Sequence, residues 1–155
     1  MSTSNVIGEV ESVNFAIYLS KKASEKKINS NITKLQKWLY ICYGLFLAAE
    51  NRPLLNERPK AWDYGPVFPR VYKKQKKHDN LKELYDEINP KYFIKYDEII
   101  NVTLEHFGSW TVEELCAWTH EPGKAWDKQF NNRKKYDPME NLDIYLDFEG
   151  FVINE

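Results

Sequence analysis

The chain has 155 residues, 43% hydrophobic and 15% aromatic, and a formal charge of −1 from 22 basic and 23 acidic side chains. That length suits one domain with its own core and leaves no room for two ordinary ones. The aromatic content excludes a disordered chain, and the balanced charge gives no global case for nucleic acid as a partner.

The opening MSTSNVIGEV is polar and lacks the basic and apolar regions of a secretory signal. Residues 1–8 are therefore expected as a flexible tail ahead of a single domain over 9–155. A first helix is expected from about Glu11 to Lys26. Val13, Ala16 and Ile17 follow i, i+3, i+4 spacing, and Lys21, Lys22 and Lys26 suit the negative end of the dipole. After a polar connection, Thr33 and Gln36 fit a capping box before an apolar run. Leu35, Leu39, Cys42, Phe46 and Ala49 trace one face of this helix, and Ile41, Leu45 and Ala48 trace a second. A helix apolar on two faces belongs at the centre of a domain. Gly44 inside it implies the close approach of another element.

Asn51 to Pro53 ends the central helix. The proline-rich stretch Leu54 to Pro69 reads as loop, with a brief strand between Lys60 and Tyr64. Pro69 suits the first turn of a helix running from about Arg70 to Lys77. Its run Lys73-Lys74-Gln75-Lys76-Lys77 reads as a solvated face, or as a contact for phosphates or an acidic partner. A short helix over Leu81 to Ile88 is stopped by Asn89-Pro90, and the aromatic Tyr92 to Tyr96 is expected to be extended. Asp97 to Phe107 is helical, with Gly108 at C′. Thr111 and Glu114 form a capping box for a helix to Trp118, and Pro122 suits the start of another, to about Asn131. Residues 137–155 carry six acids and no Lys or Arg, yet they also hold Leu142, Ile144, Leu146, Phe148 and Phe151. A short helix near 139–147 is expected there, followed by a packed or partner-binding segment. The fold class is mainly α: a single compact helical domain with a central buried helix and at most a small β element.

Catalytic patterns fail on inspection. His120-Glu121 begins like HExxH, but position 124 is Lys; Gly123-Lys124 ends like a P-loop, but Trp118 and Ala125 stand where Gly and Ser/Thr are needed. Neither GxGxxG nor GxSxG occurs. Cys42 and Cys116 sit in no CxxC or Cys/His cluster and read as small hydrophobes of a reduced, cytoplasmic protein. The run Trp38 to Ala49 is too short to cross a bilayer. No enzyme activity, cofactor, metal or membrane partner is expected, and nucleic acid is not an expected partner.

Two segments carry more than composition. One is Ile32-Thr33-Lys34-Leu35-Gln36-Lys37-Trp38-Leu39-Tyr40, continuing to Ala61-Trp62-Asp63-Tyr64-Gly65-Pro66-Val67 and Tyr72. The other is Leu115 to Trp118, Thr119-His120-Glu121 and Ala125-Trp126. In order and spacing, over about residues 10–135, they resemble the Panacea domain of SocA-like antitoxins and GepA-type phage-associated proteins. Trp38 stands where that pattern usually has a smaller residue, and Ala125 where Pro often precedes the late Trp. The resemblance implies a helical antitoxin of a toxin–antitoxin system that neutralises a cognate toxin by direct binding, with the toxin encoded beside it. It leaves two alternatives: an adaptor delivering the toxin to a ClpXP-type protease, or a phage or prophage protein that binds a host factor.

The motif residues then define a candidate partner-binding set. Gln36 and Tyr40 share a helix face flanked by Lys37, and Trp62, Gly65 and Pro66 form a stiff aromatic turn, with Tyr72, His120 and Trp126 beside it. The plainer reading keeps Gly65 for a positive-φ turn, Trp62 and Trp126 for the core, and His120 for a hydrogen bond to backbone.

Overall fold

A computed structural model describes residues 4–151. Its elements run α1 (Ser12–Glu25), α2 (Ile32–Glu50), β1 (Lys60–Trp62), β2 (Gly65–Val67), α3 (Pro69–Lys77), 3-10 turns at Leu81–Glu87 and Pro90–Tyr96, α4 (Asp97–Phe107), α5 (Val112–Thr119), α6 (Ala125–Asn132) and α7 (Asn141–Phe148). The domain is mainly α, and its one described sheet is the antiparallel β1–β2 pair.

α2 is the axis of the fold. Every residue from Leu35 to Leu47 is buried, and α1, α3, α4, α5, α7 and β2 all pack on it. Gly44 is the notch foreseen from the sequence: a Cβ there would run into the ring of Phe148, which α7 lays across the helix. Cys42 is fully buried, its thiol 3.3 Å from the Thr103 hydroxyl. Burial pushes that thiol up to about 12, so it packs and does not react.

Several local expectations change. Asn31, not Thr33, caps α2, its Oδ1 accepting from the Lys34 amide at 2.8 Å. This frees Gln36 to turn inward. Tyr92 to Tyr96 is a 3-10 turn and not extended, because Asn89 caps the Lys91 amide and Pro90 presets the first turn. Phe93 is thereby driven inward against Phe15 and Tyr18. Gly108 stays right-handed at φ −62°, and its lack of a side chain makes room for Ile28. Pro122 lies outside α6. That helix starts at Ala125, whose amide is taken by the Asp147 carboxylate of α7 at 2.8 Å.

Of residues 1–8, expected as a tail, 4–8 are bonded to the body and 1–3 lie outside the described residues. Gly8 donates to the Leu55 carbonyl at 2.6 Å. The Asn141 side chain, wholly buried, donates to the carbonyls of Ser4 and Val6 at 2.8 and 3.1 Å and accepts from the Tyr43 hydroxyl at 2.6 Å. The acidic C-terminal segment packs through Ile144 and Phe148, while Leu142, Leu146 and Phe151 stay exposed. Asp143 is held by Arg133 at 2.6 Å, and Phe148 is 1% exposed.

Candidate docking surface

β1 and β2 are three residues each, paired Lys60↔Val67, Ala61↔Pro66 and Trp62↔Gly65. Asp63 and Tyr64 form the turn between them. Positive φ falls instead on Gly65, at 120°, a conformation that glycine adopts without steric cost. Pro66 tolerates its place because a two-stranded ribbon is all edge. Tyr64 projects from the tip with 77% of its surface exposed.

Two consecutive side chains of α2 pin this hairpin from beneath. Lys37 is 1% exposed, and its ammonium donates to the Tyr64 carbonyl. Burial pulls its pKa below the usual lysine value, and it forms no ion pair among the described residues. The Cys116 thiol reaches the same carbonyl at 3.6 Å. Gln36 holds the far end of β2. Its Oε1 accepts from the Phe68 amide at 2.8 Å, and its Nε2 donates to the Phe68 carbonyl at 3.3 Å and to Gln75 Oε1 at 3.0 Å. Glu57 then fixes the exit into α3, accepting from the Arg70 amide at 3.0 Å and from the Ser12 hydroxyl at 2.6 Å.

The Trp62 ring meets Tyr72 of α3 edge-on at 5.3 Å, and its carbonyl accepts from Trp126 Nε1 at 2.8 Å. Trp126 stacks on Phe130 at 4.6 Å and receives the His120 ring at 3.9 Å. Burial and the Lys37 charge hold the His120 pKa below the usual histidine value, against the pull of the Asp63 carbonyl. Tyr136 closes the rim by donating to Asp63 Oδ1 at 2.8 Å.

The structure therefore gathers Gln36, Lys37, Trp62, Gly65, Pro66, Tyr72, His120 and Trp126 around one turn. It does so with Gln36, Lys37, Gly65, Pro66 and Trp126 buried and Trp62, Tyr72 and His120 half-buried. The polar face of α2 is not itself a surface: its polar atoms are used on the hairpin backbone. Tyr40 lies apart, 3% exposed and edge-on to Phe148 at 5.7 Å. Sequence reasoning passed over Tyr64, Asp63 and Tyr136, which carry the exposed part of the rim. The signal for Tyr64 was its place just before a glycine in a two-residue turn, where a side chain has nowhere to go but outward.

Among the described residues no group of three or more His, Cys, Asp or Glu side chains is placed to hold a metal ion. Among the described residues no helix is long and apolar enough to cross a membrane.

A family model described as "Antitoxin SocA-like, Panacea domain" matches residues 35–127. Antitoxin SocA of Caulobacter vibrioides (strain NA1000 / CB15N) is 32% identical over 149 residues, which cover 88% of this chain and 77% of that protein. No solved structure matches.

Proposed function

The chain belongs to the SocA-like, Panacea-domain antitoxin family, and on that membership we propose that it is a non-catalytic antitoxin that neutralises a cognate protein toxin by binding it directly at the hairpin rim. The observation that carries this reading is the pinned turn. Lys37 fixes the Tyr64 carbonyl from below while the Tyr64 ring stands 77% exposed above it. A large aromatic ring on a turn already held in place loses little conformational freedom on binding, and such rings dominate interface energies. Trp62, Tyr72 and Tyr136 extend the same rim.

The test is co-expression with the product of the adjacent gene, scored by growth, followed by affinity capture of the tagged antitoxin. Rescue with a one-to-one complex supports direct neutralisation. Tyr64→Ala, remote from the core, should then leave the melting curve unchanged and weaken the complex by about 2 kcal/mol, roughly thirtyfold in Kd. Rescue with loss of the toxin and no complex replaces this reading with delivery to a ClpXP-type protease. Finding neither toxicity nor a partner would sink it.

A further inference from the structure

The balanced charge of the sequence hides a segregation that the fold creates. α3 carries Arg70, Lys73, Lys74, Lys76 and Lys77 in nine residues, with no acid. Val71 and Gln75 take its buried face. Arg70, Lys73, Lys74 and Lys77, spaced i, i+3, i+4 and i+7, form one stripe, with Arg70, Lys73 and Lys77 exposed and Lys74 half-buried at its edge. None of the five cations is in an ion pair among the described residues. The stripe spans about 10 Å, along which one strand of a duplex carries about three phosphates. At the end of α3 the chain turns into a cleft of about 820 Å³ whose lining is mixed: Lys27, Asn80 and Lys82 stand beside Asp79, Ile28 and Ile32. Lys82 donates to the Ser24 hydroxyl at 3.2 Å there.

We propose that the α3 stripe and this cleft form a binding surface for the phosphate backbone of a nucleic acid, separate from the hairpin rim. What is missing from the surface decides between nucleic acid and an acidic protein. A protein interface needs aromatic or aliphatic anchors. The large exposed apolar side chains of the described residues lie elsewhere and none is on α3; the aliphatic side chains that line the cleft, Ile28, Ile32 and Val112, are half-buried. Backbone recognition of nucleic acid needs only cations and hydrogen-bond donors. Hydroxyl and amide groups beside unpaired lysines supply these.

The test is fluorescence anisotropy of the full chain with three labelled probes: a DNA duplex of about 20 base pairs, an RNA strand of about 20 nucleotides, and a glutamate peptide of about 20 residues. The four-cation stripe predicts that raising salt from about 50 to about 200 mM weakens duplex binding by roughly 150-fold and single-strand binding by roughly 50-fold. Lys73→Glu/Lys74→Glu/Lys77→Glu should lose at least about tenfold at low salt while keeping its circular dichroism and melting curve. The same charge change placed elsewhere, as Lys91→Glu/Lys95→Glu/Lys135→Glu, should lose far less. Preference for duplex or single strand identifies the source of the phosphates, and either supports the proposal. Absence of binding to both at low salt, equal loss in the two triple variants, or tighter binding of the glutamate peptide overturns it.

Discussion

Substituting Gly65 tests whether the hairpin is held as described. A Cβ at Gly65 would stand 2.5 Å from Lys37 Nζ and 3.1 Å from the Thr119 hydroxyl, on a backbone at φ 120°. The backbone strain alone costs about 1–3 kcal/mol. The methyl also pushes the ammonium away from the Tyr64 carbonyl, forfeiting a charge-assisted hydrogen bond worth about 1.5–3 kcal/mol. Gly65→Ala should therefore destabilise the domain by roughly 3–5 kcal/mol, a fall in Tm of roughly 6–20 °C for a chain of this size. Lys37→Met removes the terminal ammonium yet keeps most of the stem. The second methyl then meets only the softer contacts with the stem and with Thr119, so Gly65→Ala should cost at least about 1 kcal/mol less in the Lys37→Met background than alone. Urea denaturation of the four proteins, followed by tryptophan emission, gives this coupling directly. A Gly65→Ala cost below about 1 kcal/mol, or strict additivity with Lys37→Met, would refute the pinning of the turn by Lys37.

The other predictions concern packing, the N-terminal segment and pH. Phe148→Ala should cost about 3–5 kcal/mol by emptying the notch over Gly44, and Gly44→Ala about 1–3 kcal/mol by filling it; in urea titrations the double variant should cost less than the sum, and an additive pair would mean that ring and notch do not meet. Asn141→Ala should cost about 2–4 kcal/mol because it orphans the buried Tyr43 hydroxyl and frees two carbonyls, and amide exchange at Gly8 and Val10 should accelerate; unchanged exchange there would count against Asn141 as the tether. His120 has its pKa lowered in the folded state, so the unfolded chain takes up the proton first as pH falls. The stability it supports is present above the ordinary histidine range and is lost as pH drops through about 6.5 and below. His120→Gln should flatten that part of the Tm–pH curve, and an unchanged curve would remove His120 from the account.

What was legible in the sequence followed periodicity and capping. The buried axis α2, the Thr111–Glu114 box of α5, Pro69 at the head of α3 and the notch at Gly44 each obey a local rule strong enough to survive folding. What the sequence did not show depends on partners distant in it. The start of α6 is set by a carboxylate 22 residues away. Residues 4–8 are held by Asn141 from the far end of the chain. Lys37 was the hardest to place. A lysine beside a glutamine reads as a solvated helix face, and nothing short of the fold shows that its acceptor is a backbone carbonyl 27 residues on. Charge behaved likewise: the total of −1 describes neither the basic stripe of α3 nor the acids of α7, which Arg133, Lys128 and the α6 amide occupy.

The two motif segments of this family occur together for a reason the geometry supplies. A three-residue strand such as β2 pairs along one edge with β1 and has too few ladder bonds to hold itself. Its two ends are closed instead by α2, with Lys37 at the Tyr64 carbonyl and Gln36 at both backbone groups of Phe68. Neither segment keeps its shape without the other. If the hairpin separates from α2, a buried ammonium and a buried amide lose their partners, and such groups are costly to leave unpaired. If Gln36 and Lys37 are replaced, the turn loses its anchors and Tyr64 its fixed direction. On the proposed reading, the polar face of α2 acts on a partner only through the hairpin. Substitutions at Gln36 and Lys37 should weaken partner binding in proportion to the disorder they introduce at residues 62–65, whereas Tyr64→Ala should weaken it with the hairpin intact. Amide exchange measured alongside affinity separates the two: loss of binding in a Gln36→Ala protein with unchanged protection at Phe68 would show that Gln36 touches the partner itself.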